Sequence, residues 1–176
     1  MIDPETVQHI NLKIFVEDEK AFVLSAATVV FHRWIRESAC PEMLIDVADY
    51  AHVAAGPGLL LIGHEANYSF DNRENRLGLL YNRKAPLDGT FRSRLQQAHG
   101  AALDACGRLE REPEFGGKLK FNRDALEVFV NDRLLAPNSD ETWVALRPAL
   151  EEEFAGYAIR RIGEPRDLFR LSVTRG

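Results

Sequence analysis

The chain has 176 residues, 45% of them hydrophobic and 28% charged, and a net charge of −5. These values are typical of one globular domain with a substantial core and exclude a disordered chain. The negative charge argues against nucleic-acid binding, which needs an excess of cations on one face.

The compartment and the domain organisation can be predicted next. No apolar run approaches the roughly 20 residues that span a bilayer, and the N-terminus does not resemble a signal peptide. We therefore expect a cytoplasmic protein without a membrane partner, in which Cys40 and Cys106 are reduced thiols. The sequence has no repeat, low-complexity run or linker, so we expect residues 1–176 to form a single domain.

The first predicted elements are three strands and a helix. Residues 9–16 alternate apolar and polar side chains, which predicts a strand. Residues 22–37 have a β-branched centre that favours a strand, but their length and charged end favour a helix, and we predict the helix. Residues 43–50 and 58–70 are predicted to be two strands joined by the turn AAGPG.

A second hairpin is predicted about the sequence NREN. With its loop centred on Arg73 and Glu74, the strand that ends at residue 70 places His64 opposite Arg83. A slip of one residue would mix apolar and polar faces, so the pattern favours this register. It pairs Phe70 with Leu77, Tyr68 with Leu79 and Ala66 with Tyr81 on one buried face.

The second half of the chain is predicted to contain two helices and several strands. Residues 91–112 form a helix whose many alanines and glycines favour close packing. Residues 118–138 look like a short meander, and Asn138 with Glu141 resembles a capping box for the next helix. Residues 157–162 and 168–173 form a last strand pair. The order predicts an α+β fold, with a mainly antiparallel sheet built from hairpins and about three helices packed against it.

Charged residues within the apolar stretch 45–71 suggest a site. One register of the first hairpin sets Asp46 opposite His64, and the second hairpin adds Arg83 to the same row. Asp46 would then orient His64, and Arg83 would bind an anionic group. The alternative is a structural network of ion pairs at the end of the sheet, in which each charge is neutralised by its neighbours.

A second group of cations precedes and opens the helix at residue 91. Arg83, Lys84, Arg92 and Arg94 lie within twelve positions, and a helix N-terminus flanked by arginines suits phosphate or carboxylate. The alternative is a solvated basic face. No metal-ligand spacing is present, so we predict neither a metal site nor a cofactor.

Four segments of the sequence resemble those of a family of small uncharacterised bacterial proteins. They are VFHRWIRE, IDVADYAHVAAGPGLLLIGHEANYSFD, GLLYNRK and VNDRLLAPN, and the resemblance covers most of the chain. It implies no activity and no catalytic residue.

Two functions remain open from the sequence. The first is a binding or assembly protein, in the form of a homodimer, with a cationic pocket for a small anion or an acidic partner. The second is an enzyme of hydrolase or isomerase type that uses His64 as acid and base, with Asp46 and Arg83 as its partners. Catalysis requires a concave pocket beside His64, whereas a structural network requires none.

Overall fold

An antiparallel sheet of eight strands forms the centre of the computed structural model, which describes all residues from 1 to 176. None of the helices is long and apolar enough to cross a membrane. The strands are β1 (Ile10–Val16), β2 (Leu44–Tyr50), β3 (Gly58–Gly63), β4 (Ala66–Asp71), β5 (Gly78–Arg83), β6 (Phe121–Val130), β7 (Ala158–Ile162) and β8 (Phe169–Thr174), and the helices are α1 (Leu24–Glu37), α2 (Phe91–Leu109) and α3 (Asp140–Glu153).

The sheet has the order β2-β3-β4-β5-β1-β6-β8-β7, so the first strand lies near its middle. The helices cover one face, on which the apolar residues of every second strand position form the core. We call the other face the open face. Every residue of β1 is buried, because this strand has neighbours on both sides and packed side chains on both faces. The predicted α+β class is confirmed.

The hairpin of β4 and β5 confirms the predicted face and corrects the predicted register. Tyr68 pairs with Tyr81 and Phe70 with Leu79, two positions from the predicted partners. The connection is longer than predicted because a 3₁₀ turn, Arg73–Asn75, follows β4. A shift of two residues keeps every side chain on its face. The predicted inner residues, including Leu77, are therefore buried.

Two predictions for the second half of the chain are wrong. The predicted meander contains a single long strand, β6, and a bulge between Asn122 and Leu126 interrupts its pairing with β1. The cap of α3 is Ser139, which accepts a hydrogen bond from Thr142 N. The side chain of Asn138 instead donates to the carbonyls of Ile162 and Glu164.

The small-residue face of α2 packs against β1, β5 and α3. Ala102 lies on this face with 0% of its surface exposed. We expect Ala102→Leu to lower the free energy of unfolding by about 1–3 kcal/mol, because the added carbons overpack the contact. Denaturant unfolding measures the change. Ala101→Leu, one position away and partly exposed, is the control, and an equal loss in both variants would contradict the packing argument.

Candidate functional site

The predicted row of three charged residues does not form. Asp46 pairs with Ile62, which in turn pairs with Asn67. Arg83 pairs with Ala66, the neighbour of Asn67 in the same strand. Because paired residues point to one face and successive residues alternate, Asp46 lies on the open face and Arg83 on the helix-covered face.

His64 lies outside the strands altogether. It occupies the turn between β3 and β4, and 67% of its side chain is exposed. Its nearest carboxylate is that of Glu65, 3.7 Å from Nδ1. The backbone N–H of Met43 donates to Glu65 and is the main cause that lowers the pKa of this carboxyl group. The prediction that Asp46 lies opposite His64 is therefore wrong.

Arg94 is a buried residue that holds the N-terminal segment. Arg94 exposes only 5% of its surface, one of the lowest values among the cations of the chain. The guanidinium donates to the carbonyl of Gly89 at 2.5 Å and to that of Glu5 at 2.8 Å. Its Nη1 and Nη2 groups are thus engaged by the backbone, whereas the buried Nε has no hydrogen-bond partner.

The other predicted cations also have partners within the chain. None of the five cavities in the structure is lined by a residue of the predicted sites, which are Asp46, His64, Arg83, Lys84, Arg92 and Arg94. An anion site at these residues stays a prediction without a cavity to support it. Arg83 Nε donates to Ala85 O at 2.9 Å, Lys84 Nζ donates to Gly63 O at 2.6 Å, and Arg92 pairs with Glu152 at 2.7 Å.

Buried charges lie instead on the open face of the sheet. Lys13, Asp71 and Glu127 expose only 2%, 1% and 2% of their surface, although no helix covers them. Lys13 Nζ lies 2.7 Å from Asp71 Oδ1, and Lys13 pairs across the strands with Glu127. Burial of an ion is costly unless a counter-ion is close, so these three residues depend on each other and on the arginines around them.

Arginines cover the buried carboxylates from above. Arg170 donates to Glu127 at 2.7 Å and 3.0 Å and also to Glu74 at 2.5 Å and 2.8 Å. The hydrogen bonds from Arg170 are the main cause that lowers the pKa of Glu74. Arg76 lies 3.3 Å from Glu127, and its guanidinium stacks 3.7 Å from the ring centre of Phe15.

These residues form what we call the open-face charge cluster. It contains four cations and three carboxylates, a net charge of +1 in a chain of net charge −5. The cluster therefore carries a small excess of positive charge. The members are Lys13, Arg73, Arg76, Arg170, Asp71, Glu74 and Glu127.

A cleft opens beside the charge cluster and consists of two adjoining cavities. The inner cavity has a volume of about 140 Å³ and the outer cavity one of about 270 Å³. Arg73, Phe129 and Leu168 line both. The inner cavity is also lined by Asn11, Asp71, Leu80, Asn82 and Asn131. The outer cavity is also lined by Glu74, Arg133, Asp167 and Arg170.

Strand pairing explains why amides and an aromatic ring meet in the inner cavity. Asn82 pairs with Asn11 on β1, and Asn11 pairs with Phe129 on β6. The three side chains therefore form one row across the open face. Asn11 Oδ1 accepts a hydrogen bond from Arg83 N, which fixes the orientation of this amide.

Asp71, which lines the inner cavity, has one carboxylate oxygen without a hydrogen-bond donor. Asp71 Oδ1 accepts from Lys13 Nζ and from Arg73 N, but Asp71 Oδ2 accepts no hydrogen bond. Arg73 Nε lies 3.4 Å from it. Unsatisfied buried acceptors are rare in folded proteins, so this oxygen marks a place where a donor is missing.

Two charged residues within apolar segments of the sequence indicated this site, although the net charge of the chain did not. Lys13 interrupts an apolar strand, and Glu127 interrupts another between Leu126 and Val128. Charges at such positions are rarely left unpaired. The patterns point to two buried ions, but they do not say which residues pair with them.

A second cluster of polar side chains lies on the helix-covered face, and both oxygens of its carboxylate accept hydrogen bonds. The buried carboxylate of Glu42 accepts from the hydroxyls of Tyr68 at 2.8 Å and Tyr81 at 3.1 Å. Gln97 donates to the Tyr81 hydroxyl at 2.9 Å. Burial raises the pKa of both tyrosines, so the phenols stay protonated and donate at neutral pH.

Cys40 lies beside this group, and its environment suppresses its reactivity. Burial, with a smaller contribution from Glu42, raises the pKa of the Cys40 thiol to about 11. Because only the thiolate is alkylated, we expect the rate with iodoacetamide to be low at neutral pH and to rise about tenfold per pH unit. Mass spectrometry of the Cys40 peptide measures this rate. Cys40→Ser is the control, and a rate that levels off near the ordinary thiol pKa of about 8.5 would contradict the prediction.

No group of three or more histidine, cysteine, aspartate or glutamate side chains is placed to hold a metal ion. The resemblance to small bacterial proteins stays a prediction. No protein-family model matches the chain, and a search of the curated proteins found no match.

Proposed function

We propose that the protein binds a small anion in the open-face cleft, between Arg73 and Arg133. The observation that supports this most strongly is the local positive charge of +1 beside a cavity, in a chain of net charge −5. Both arginines line the outer cavity. Guanidinium groups bind phosphate and carboxylate oxygens in pairs of hydrogen bonds, which gives orientation as well as attraction.

The two arginines have donors to spare. Arg133 is exposed and takes part in no ion pair, and the only carboxylate near Arg73 is that of Asp71, at 3.4 Å. Arg170, in contrast, already binds two carboxylates. We therefore assign the anion to Arg73 and Arg133 and assign Arg170 to the support of the cluster.

The lining residues favour binding over the histidine-based catalysis considered from the sequence. They provide guanidinium, amide and carboxylate groups, and neither cavity contains an imidazole or a thiol. Volumes of about 140 Å³ and 270 Å³ suit a small metabolite and not a folded partner. The two free cysteines accord with a cytoplasmic location.

Thermal unfolding in the presence of phosphate or citrate tests the proposal. An anion that binds only the native state stabilises it by about 2.7 kcal/mol at a hundredfold excess over the dissociation constant. We expect both anions to raise the melting temperature. Loss of one charged hydrogen-bonding group should weaken binding by about tenfold or more in Arg73→Ala and in Arg133→Ala.

Arg36→Ala is the matched control for these variants. Arg36 is an exposed arginine in the last turn of α1, on the helix-covered side of the sheet. Its loss should leave the anion-dependent shift unchanged. If neither anion raises the melting temperature of the wild type, or if Arg36→Ala lowers the shift as much as Arg73→Ala does, the cleft does not bind anions.

A further inference from the structure

The inner cavity offers a hydrogen-bond acceptor that the fold does not use. Asp71 exposes only 1% of its surface and lines the inner cavity, and its Oδ2 accepts no hydrogen bond. A buried acceptor without a donor costs free energy in the empty protein, and a ligand that supplies the donor recovers it. Asp71 is therefore the residue that can distinguish one small anion from another.

The electrostatics of Asp71 define the kind of donor. Its negative charge already lies 2.7 Å from Lys13 Nζ and 3.4 Å from Arg73 Nε. The open-face charge cluster as a whole carries +1. An ammonium group would enter a region that is already positive, whereas a hydroxyl donates a hydrogen bond without adding charge. The missing donor is thus a neutral hydroxyl.

The remaining walls of the inner cavity suit a carbon skeleton with hydroxyl groups. The amides of Asn82 and Asn131 can donate to and accept from hydroxyls. The side chains of Leu80 and Phe129 provide apolar surface for the carbon atoms between them. A volume of about 140 Å³ accommodates a skeleton of a few carbons.

We infer that the ligand is a small hydroxylated anion, a phosphate or carboxylate with hydroxyl groups on the neighbouring carbons. Its hydroxyl donates to Asp71 Oδ2, and its anionic group lies between Arg73 and Arg133. Arg73 covers Oδ2 in this structure, but 56% of its side chain is exposed. The guanidinium therefore moves from Asp71 to the anionic group as the ligand enters. This inference rests on the proposed anion site.

Two ligands with the same carbon skeleton test the inference on the wild-type protein. Glycerol 3-phosphate and propyl phosphate share three carbons and a phosphate, but only the first has hydroxyl groups. A hydrogen bond to a carboxylate should make glycerol 3-phosphate bind about tenfold or more tightly in isothermal titration calorimetry. Glycerate and propionate form the matching carboxylate pair and reveal which anionic group is preferred.

The outcomes separate this inference from the proposed function. Equal affinity within each pair overturns the hydroxylated ligand and leaves an anion site. No binding of any of the four overturns both. In the double variant Lys13→Met/Asp71→Leu, which removes the buried charge pair, we expect most of the preference for glycerol 3-phosphate to be lost, because only the amides of Asn82 and Asn131 remain to bind its hydroxyls. If that variant still prefers glycerol 3-phosphate as strongly as the wild type does, Asp71 is not the acceptor.

Discussion

Asp71→Leu is expected to lower the free energy of unfolding by about 3–5 kcal/mol, because it leaves the ammonium of Lys13 buried without its counter-ion. Lys13 Nζ makes its only salt bridge to Asp71, at 2.7 Å, and both side chains are almost fully buried. The cost is the desolvation of an unpaired charge and not the loss of one contact. Denaturant unfolding at neutral pH measures it.

The double variant Lys13→Met/Asp71→Leu is the control for this prediction. It removes both charges and replaces them with apolar side chains of similar volume, so it should recover most of the stability lost by Asp71→Leu. If the double variant is no more stable than Asp71→Leu, the loss comes from the packing of residue 71 and not from the orphaned lysine.

Phe70→Ala is expected to lower the free energy of unfolding by about 3–5 kcal/mol, through lost burial and the cavity left behind. Phe70 is the ring on which the aromatic part of the core converges. Its centroid lies 4.6 Å from that of Phe22, 5.6 Å from that of Phe31 and 6.4 Å from those of Phe115 and Phe121. Chemical denaturation monitored by circular dichroism gives the change.

Phe129→Ala is the matched control in the same sheet. Phe129 lies in the cleft of the open face and is only partly buried. Its removal creates less enclosed space, so the loss should be clearly smaller than that of Phe70→Ala. An equal loss would mean that the open face contributes as much to the core as the helix-covered face does.

The elements that local pattern defines were predicted correctly. The alternation in residues 9–16 predicted β1, the length and charged end of residues 22–37 predicted α1, and the small side chains of residues 91–112 predicted the tightly packed α2. The buried face of the β4–β5 hairpin was also correct although its register was not. A period of two identifies a face, but it does not distinguish registers that differ by two residues.

The turn at His64 and Glu65 was missed because it lacks the usual turn residues. No glycine, proline or asparagine occupies those two positions, so the apolar stretch 58–70 looked like one strand. The structure divides it into β3 and β4. That division places His64 in a turn, whereas the predicted charged row required His64 to lie in a strand.

The sequence by itself determined the class of fold, the faces of the strands and the presence of charges in apolar strands. Only the tertiary structure decided which charges meet. Lys13 and Asp71 are 58 residues apart in sequence, and Glu74 and Arg170 are 96 apart. Local propensity and periodicity act over a few residues, whereas the strand order that joins these ions is set by packing of the whole sheet. The cleft between Arg73, Arg133 and Asp71 is therefore a property of the fold, and its residues share no local motif.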